Sequence, residues 1–557
     1  MDEFTEDEKR LLDPFFTNLD KPVFALINLP EVVKGALFSR YSRTTKSLRR
    51  VLLDEFIQVP EMGFKEIVGF QKANGADQFV AIKKAEEFYD RVLVGYGDDS
   101  VAELGGAHLA VENVSQIASK VLEDSRIGLS PLEKSTRYVP FDQKVDGQYK
   151  YYRDPVIMQS EFADLYVETN DMLFDNYSKL IPEMIKFVSE RFPKEEGVTD
   201  RAYQSSVRAK ALDILRGILP VATFTNVGLF GNGRAFEYLL TKMYAHPLTE
   251  IRDIADSMHE ELFKIIPSFV KRAPPTNQYG KETNVYLTET HQGMDNLSKI
   301  LLASKNLERA NNVTLVEYDK DAENKVIAAM LYPHSNLPFQ QLIKIVSRYG
   351  EKQKFNIIEQ YMGKRANRRH KPGRALENIY YTFDILANFG AYRDLHRHRA
   401  LTQQRQAITV IHGYETSEEI IDAGFKDIYD ECMQRAAEAF KKIYGKYPLQ
   451  TQYVVPLSYR VRWYITMNLR EVYHFVELRT SQQGHRDYRK IALKIFEKVK
   501  EVHPALVQYM KFVDMTGIKP KKTILDWVDT RKAELERIKS EQKIDKKMEE
   551  MKKKYGA

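Results

Sequence analysis

The segment Arg216-Gly217-Ile218-Leu219-Pro220, with Asn232-Gly233-Arg234 after it, has a second copy further along the chain. The copy reads Gln452-Tyr453-Val454-Val455-Pro456, followed by Asn468-Leu469-Arg470. The proline and the Asn-x-Arg triplet are both displaced by 236 residues, and the block Arg252-Asp253-Ile254-Ala255 returns 237 residues later as Arg489-Lys490-Ile491-Ala492. One spacing kept over such a distance indicates an internal duplication, which predicts two similar domains.

The duplication and the local signals around it predict five segments. Glu31 begins a helix after Pro30, the chain then has the spacing of long amphipathic helices as far as the Pro274-Pro275 breaker, and residues 312–318 alternate like a strand. The predicted segments are a lead-in at 1–30, a first repeat at 31–275, a polar linker at 276–311, a second repeat at 312–518 and a charged tail at 519–557. We expect the tail to be a solvated helix or a frayed end, with a partner-binding or nucleic-acid-binding arm as the lesser alternative.

The composition of the 557-residue chain excludes several classes of protein. Hydrophobic residues make up 43%, enough for two substantial cores, but no run approaches the roughly 18 apolar residues of a membrane-spanning helix. The single cysteine, Cys432, rules out an intrachain disulfide, and the acidic first residues lack the basic start of a signal peptide. A net charge of +6 is too dilute for a surface devoted to nucleic acid. We therefore expect a cytoplasmic protein that binds neither membrane nor nucleic acid.

A cationic triplet, Arg397-His398-Arg399, is the strongest motif of the second repeat. Two guanidinium groups beside an imidazole suit a ligand with several anionic oxygens, because arginine forms bidentate contacts with them. The alternative is a solvated basic face of a helix. His396 and His398 are two positions apart and would lie on different faces of a helix, and no cysteine is near them, so we expect no metal site.

The first repeat has a polar loop at the corresponding place, Ser130-Pro131-Leu132-Glu133-Lys134-Ser135-Thr136-Arg137-Tyr138. Its hydroxyl groups, backbone amides and arginine could cradle a phosphate. The alternative is ordinary helix capping and surface ion pairing, which Ser-x-x-Glu patterns usually serve.

Together, the two motifs resemble the flavin-dependent thymidylate synthases, and the resemblance spans roughly residues 35–270 and 312–515. That family's pattern is Arg-His-Arg-x-x-Ser-x-x-Glu-x-Ser-x-Arg-Tyr. The second repeat keeps the opening triplet but has Arg405 at the glutamate position. The first repeat lacks the triplet and keeps the remainder: Ser130, Glu133, Ser135, Arg137 and Tyr138. Neither copy is whole, and the losses are complementary.

The resemblance implies one composite site that the two repeats share. For substrate binding it implies Glu133, Ser135, Arg137 and Arg216 from the first repeat and Arg397 and Arg479 from the second. For cofactor binding it implies Ser100, Arg397, His398, Arg399, Asn468, Arg470 and His474. Arg479 would act catalytically by favouring the anion at N3 of the pyrimidine ring. The reciprocal site would contain Ser125-Arg126-Ile127, Ala407 and Gln452, and we expect it to be inactive.

The resemblance also implies a fold and a reaction. The fold is α+β, with two tandem domains that each have a central sheet and long helices, and two chains would form a homodimer of four domains. The reaction transfers a methyl group from methylenetetrahydrofolate to dUMP, with FAD as cofactor and NADPH as reductant. Asp394 and His474 depart from the family, which has glutamine and asparagine there. A non-catalytic or repurposed protein that binds flavin or nucleotide is the alternative.

Overall fold

Two antiparallel sheets organise the fold, and each belongs to its own compact unit of the chain. A computed structural model describes residues 3–59, 99–136, 139–308, 311–482, 484–515 and 524–555. The first unit consists of residues 1–134 and 224–306, and the second of residues 135–223 and 307–557. The α+β class is confirmed. Residues 135–223 belong to the first predicted repeat but fold with the second repeat. The compact units therefore differ from the sequence repeats. The boundaries of the repeats stay a prediction.

The sheet of the first unit has three strands in the order β1-β3-β2. They span Gly106–Val114 (β1), Leu129–Glu133 (β2) and Thr225–Asn232 (β3). Side chains of the central strand β3 alternate between covered and exposed, as a sheet with one covered face requires. The spacing of this region indicated helices alone, and the sheet was expected only from the family resemblance.

The helices of the first unit vary widely in length. They span Glu6–Leu12, Glu31–Tyr41, Leu48–Val51, Gln116–Asp124, Gly233–Tyr244, Thr249–Phe263, Pro267–Val270 and Gln278–Leu302. The second begins directly after Pro30, as predicted. The last has 25 residues and lies within the predicted polar linker at 276–311, whose role as a linker stays a prediction. Asn277 caps that helix by accepting a hydrogen bond from the amide of Tyr279, and no proline interrupts it.

The sheet of the second unit has the same arrangement with one strand added. Its order is β4-β5-β7-β6, and the strands span Val313–Tyr318 (β4), Tyr380–Asn388 (β5), Leu401–Arg405 (β6) and Arg460–Asn468 (β7). β4 confirms the strand predicted at 312–318. Tyr380 pairs with Asn468, as Gly106 pairs with Asn232 in the first sheet. The duplication is therefore visible in the strand order and in the register.

The second unit contains most of the helices that the structure describes, including that of the charged tail. They span Pro155–Met158, Ala163–Arg191, Asp200–Leu215, Ala322–Leu331, Phe339–Val346, Glu351–Met362, Phe389–Leu395, Glu418–Asp422, Lys426–Tyr444, Leu469–Arg479, Arg486–Val502, Pro504–Val507 and Ile524–Tyr555. The tail helix docks inside this unit, where Asp545 accepts hydrogen bonds from Thr199 and Arg201. Within the described ranges, no helix has both the length and the apolar content that crossing a bilayer takes.

The two copies of the repeated segment meet within the second unit. Pro220 faces Pro456 in an antiparallel bridge. On one side the amide of Val221 donates to the carbonyl of Val455 at 2.9 Å, and on the other the amide of Leu457 donates to the carbonyl of Leu219 at 2.9 Å. These pairs are symmetric about the two prolines. The repeated segment therefore generates a local two-fold axis inside a single chain.

Candidate functional site

Asp394 lies at the centre of a group of arginines in the second unit. Arg216, from the first repeat, is buried where the helix Asp200–Leu215 ends. Both of its terminal nitrogens lie 3.3 Å from one carboxylate oxygen of Asp394, on the helix Phe389–Leu395. Arg216 also donates to the carbonyl of Gly390 at 3.4 Å. An arginine of the first repeat and a helix of the second therefore form one charged contact.

The charge of Asp394 follows from its surroundings. Burial alone would raise the pKa of its carboxyl group, but the positive charges of Arg216, Arg397, Arg393 and Arg479 outweigh burial and lower the pKa below its ordinary value. Asp394 is therefore ionised at neutral pH. Four guanidinium groups act on this one carboxylate, which makes the cluster a suitable environment for an anionic ligand.

A hydrogen-bonded chain connects Arg479 to the histidine of the cationic triplet. The Nε–H of Arg479 donates to Nε2 of His398 at 2.8 Å, and Nδ1 of His398 lies 2.6 Å from Glu471. A guanidinium group can only donate, so Nε2 of His398 accepts and Nδ1 carries the proton that is donated to Glu471. This chain fixes the tautomer of His398 and the orientation of Arg479.

His474 lies beside this chain, with its ring 5.3 Å from the ring of His398. Burial lowers the pKa of His474 to about 4, and the positive charges of Lys371 and Arg479 add to the effect, so its imidazole is neutral at pH 7. The ammonium group of Lys371 lies 2.7 Å from Nδ1 of His474. Ligand atoms of His398, Glu471 and His474 lie within 4.8 Å of one another, but two cationic side chains already bond to these histidines, and they oppose the binding of a metal cation.

The repeated Asn-x-Arg triplets have the same local role in both units. Asn468 caps the helix Leu469–Arg479 by accepting from the amide of Glu471 at 2.9 Å, and Asn232 caps the helix Gly233–Tyr244 in the same way. Arg470 pairs with Glu377 at 2.7 Å, and Arg234 pairs with Glu103 at 3.0 Å. Each triplet therefore caps a helix and pairs with an acidic side chain.

Comparison with known proteins gives these residues a family. Residues 50–268 and 314–505 match the family described as Thymidylate synthase complementing protein. The chain belongs to this family. One match lies in each predicted repeat, which confirms the tandem duplication and the resemblance to flavin-dependent thymidylate synthases.

Long relatives of the family match nearly the whole chain. A UPF0159 protein of Chlamydia pneumoniae is 46% identical over 519 residues, which cover 93% of this chain and 96% of that protein. A UPF0159 protein of Thermoplasma acidophilum is 34% identical over 514 residues, which cover 87% and 96%. A flavin-dependent thymidylate synthase of Sulfurisphaera tokodaii is 30% identical over 207 residues, which cover 36% of this chain and 77% of that protein. The thymidylate synthase therefore corresponds to part of this chain, as a duplicated family domain predicts.

The family residues predicted in the first repeat are divided between the two compact units. Glu133 ends strand β2 in the first unit, where its buried carboxylate accepts from the ammonium group of Lys120 at 2.9 Å. Ser100 lies in the short turn Asp99–Glu103 of the same unit, and its side chain lies outside the described structure. Ser135 is partly exposed, and Arg137 falls outside the described residues. Their roles in binding stay predictions.

The remaining family residues lie in the second unit, in different settings. Arg397 is partly exposed and acts on Asp394, whereas Arg399 is exposed at the approach to strand β6. Arg479 is partly exposed, and its guanidinium group lies 5.8 Å from the ring of Tyr488. The cofactor-binding roles predicted for the triplet are therefore compatible with its exposure on one side.

A cavity of about 770 Å³ in the second unit is lined by Arg216 and by polar side chains that the sequence did not indicate. Asp213 and His485 belong to its wall, and Nε2 of His485 lies 3.3 Å from the backbone carbonyl of Asp213. The helical spacing of Asp213 and Arg216 could have suggested the first of these residues. Glu471 and Lys371 were also missed, and for Lys371 no local signal exists, because its partner His474 is 103 positions away.

Proposed function

We propose that this protein transfers a one-carbon unit from methylenetetrahydrofolate to dUMP and produces dTMP in a flavin-dependent reaction. Membership of the thymidylate synthase complementing family supports the reaction class. The observation that carries the proposal is the contact of Arg216, from the first repeat, with Asp394, beside Arg397 and Arg479 of the second repeat. One chain would therefore supply both halves of a site that neither repeat contains alone.

In this site, the nucleotide phosphate would bind to Arg216, Arg137 and the backbone near Ser135, and Glu133 would support that loop. Arg397 would contact the nucleotide, and Arg479 would stabilise the negative charge that develops on the pyrimidine ring. Support for the role of Arg479 comes from its hydrogen bond to His398, because a donor fixed in advance needs no reorganisation during the reaction.

The chemistry of the side chains fits FAD. Arg397, Arg399 and Arg470 offer donors for anionic oxygens, and the neutral imidazole of His474, whose Nδ1 accepts from Lys371, offers the Nε2–H donor to a polar ring edge. His398, Asn468 and Ser100 complete the proposed cofactor set. A bound flavin, reduced by NADPH, would supply the electrons that convert the transferred carbon into a methyl group. We expect the reaction to take place in the cytoplasm, with two chains associated as a homodimer.

The second candidate is a nucleotide- or flavin-binding protein without this catalytic activity. The negative charge of Asp394 favours the flavin-binding form of this candidate, because a carboxylate within hydrogen-bonding distance of Arg216 competes with the phosphate of dUMP. In the family this position is glutamine, which carries no charge.

Three measurements on the purified protein separate these functions. Visible absorption detects bound flavin, titration of dUMP into flavin-loaded protein gives the stoichiometry, and conversion of dUMP to dTMP tests catalysis. We expect bound flavin, one dUMP per chain and product formation. Flavin and dUMP binding without product would favour the second candidate, and two equivalent dUMP sites per chain would contradict the composite site.

Matched variants test the roles inside the proposed site. Arg399→Ala should release flavin, whereas Arg126→Ala, in the corresponding triplet Ser125-Arg126-Ile127 of the first repeat, should retain it. Arg479→Ala should lower the turnover number about 100-fold and weaken dUMP binding much less, because its interaction grows as charge develops. An equal loss of flavin from Arg399→Ala and Arg126→Ala would show that the repeats do not differ in cofactor binding.

A further inference from the structure

A basic loop at residues 364–374 has no role in the function proposed above. Its sequence is Lys364-Arg365-Ala366-Asn367-Arg368-Arg369-His370-Lys371-Pro372-Gly373-Arg374, in which six of the eleven residues are lysine or arginine and none is acidic. Such a run is usually a solvated surface. The structure of this loop and its location argue for a more specific role.

The basic loop is anchored by a buried arginine. The terminal nitrogens of Arg365 lie 2.6 Å and 3.0 Å from the two carboxylate oxygens of Glu477, and one of them donates to the carbonyl of Tyr509 at 3.0 Å. Its Nε donates to the carbonyl of His370 at 2.7 Å, which closes the loop. A bidentate buried pair gives strong geometric constraint. The loop therefore holds a defined conformation.

The exposed side chains of this loop are mostly not neutralised by acids. Arg368 and Arg369 are exposed, and no described carboxylate forms an ion pair with either of them or with Lys371, whereas Arg374 pairs with Glu377 at 3.2 Å. Partial desolvation lowers the pKa of Lys371, and the charges of Arg368 and Arg470 add to the effect against the attraction of Glu471. Positive charge is thus concentrated here, on a fixed backbone.

The basic loop also borders the proposed cofactor site. The ammonium group of Lys371 lies 2.7 Å from Nδ1 of His474, whose ring is 5.3 Å from that of His398. Nε of Arg470 donates to the carbonyl of Pro372 at 2.8 Å. If the ring of a ligand lies at His398 and His474, the basic loop lies on one side of that ring. A charged tail on the same ligand would then reach the basic loop.

We propose that the basic loop binds the anionic tail of a ligand whose ring occupies the site at His398 and His474. The tail is a chain of phosphates or carboxylates, which Arg368, Arg369 and Lys371 would contact through charge-assisted hydrogen bonds. The location of the ring rests on the proposed function, but the affinity of the loop for a polyanion does not. Two ligands of that function carry such a tail: a flavin dinucleotide through its diphosphate, and a folate through its glutamate carboxylates.

The direct experiment uses the full chain and two simple probes, inorganic tripolyphosphate and a γ-linked pentaglutamate. Calorimetric titration at physiological salt would compare the wild type with Arg368→Ala/Arg369→Ala. The control, Lys441→Ala/Lys442→Ala, removes two exposed positive charges from another helix of the same unit. We expect binding of at least one probe, a loss of at least tenfold in the loop variant, and less than a twofold loss in the control.

A second comparison identifies the source of the tail. If the loop variant loses more affinity for FAD than for riboflavin, the loop binds the diphosphate of the flavin dinucleotide. If it loses more affinity for pentaglutamyl folate than for monoglutamyl folate, the loop binds the glutamate carboxylates. The proposal is overturned if the wild type binds neither probe, if both variants lose equal affinity, or if the loop binds only a single-stranded oligonucleotide. A wild type that binds tripolyphosphate or pentaglutamate through the loop, but neither riboflavin nor dUMP, would refute the proposed function and retain the polyanion site.

Discussion

Each unit of the chain contains a prominent charge cluster, and the two clusters are built differently. In the first unit the ammonium group of Lys120 lies 2.5 Å from Glu123 and 2.9 Å from Glu133, and the three side chains are 0%, 1% and 0% exposed. In the second unit Arg216 pairs with Asp394 at 3.3 Å and lines a cavity of about 770 Å³. One cluster is sealed, and the other borders open space.

The difference matches a structural role for the first cluster and the binding role that we propose for the second. A lysine enclosed by two carboxylates has its charge compensated inside the protein, and removing it would leave two buried acids. The Asp394 cluster combines four guanidinium groups with Asp394 and with Asp213, which lies 3.8 Å from Arg216 beside the cavity, so an incoming anion could replace or join these carboxylates. Glu133 and Arg216 were predicted for the same site from family motifs, yet they lie in clusters of different kinds.

The largest expected effect is on stability, at the sealed cluster. Lys120→Ala should lower the free energy of unfolding of the first unit by about 3 to 5 kcal/mol, because Glu123 and Glu133 remain buried without their counterion. Urea denaturation, followed by a spectroscopic signal from the first unit, would measure this loss of free energy. The triple variant Lys120→Met/Glu123→Gln/Glu133→Gln should recover most of the loss. A stable Lys120→Ala protein that no longer binds dUMP would instead assign the sealed cluster to the binding site.

The open cluster should respond in binding more than in stability. Arg216→Ala should weaken dUMP binding by about 1.5 to 3 kcal/mol, roughly 10- to 150-fold, through the loss of a charged hydrogen bond. The repeat supplies a matched control at the equivalent position, because Gln452 is buried and accepts from the amide of Ile408 at 3.0 Å. Gln452→Ala should cost about 1 kcal/mol of stability and leave dUMP affinity unchanged. Equal losses of affinity in both variants would remove the distinction between the repeats.

The smallest expected effect is a pH dependence in the second unit. The pKa of His474 is lowered by burial to about 4, below its value of about 6.5 in an unfolded chain. As the pH falls, the unfolded state therefore binds a proton at this histidine before the folded state does. The contribution of His474 to the free energy of unfolding is complete above pH 6.5 and is lost as the pH falls towards 4. In His474→Asn, the free energy of unfolding should fall between pH 6.5 and pH 4 by about 1 kcal/mol less than in the wild type. The exposed His334→Asn is the control, and identical profiles for all three proteins would refute the expectation.

Sequence patterns predicted those features that depend on neighbours along the chain. The helix after Pro30 and the strand at 312–318 follow from local composition. The duplication followed from one repeated spacing. These signals need no knowledge of distant contacts.

Features that depend on distant contacts were missed or misjudged. Nothing local indicates that residues 135–223 fold with the second repeat, because two similar copies offer similar surfaces for packing. Arg216 and Asp394 are 178 positions apart, so their pairing has no sequence signature. The predicted linker at 276–311 contains a helix capped by Asn277, which polar composition neither indicates nor prevents.

The pairing of Pro220 with Pro456 has a consequence for how such a site can change. In an association of two identical chains, every substitution occurs twice, once on each side of the symmetry axis. Here the axis lies within one polypeptide, so a substitution occurs once. Arginine can remain at position 216 while glutamine, at position 452, turns inward to bond the backbone. Fusion of the copies thus allows one side to evolve as a binding surface while the other is free to become scaffold.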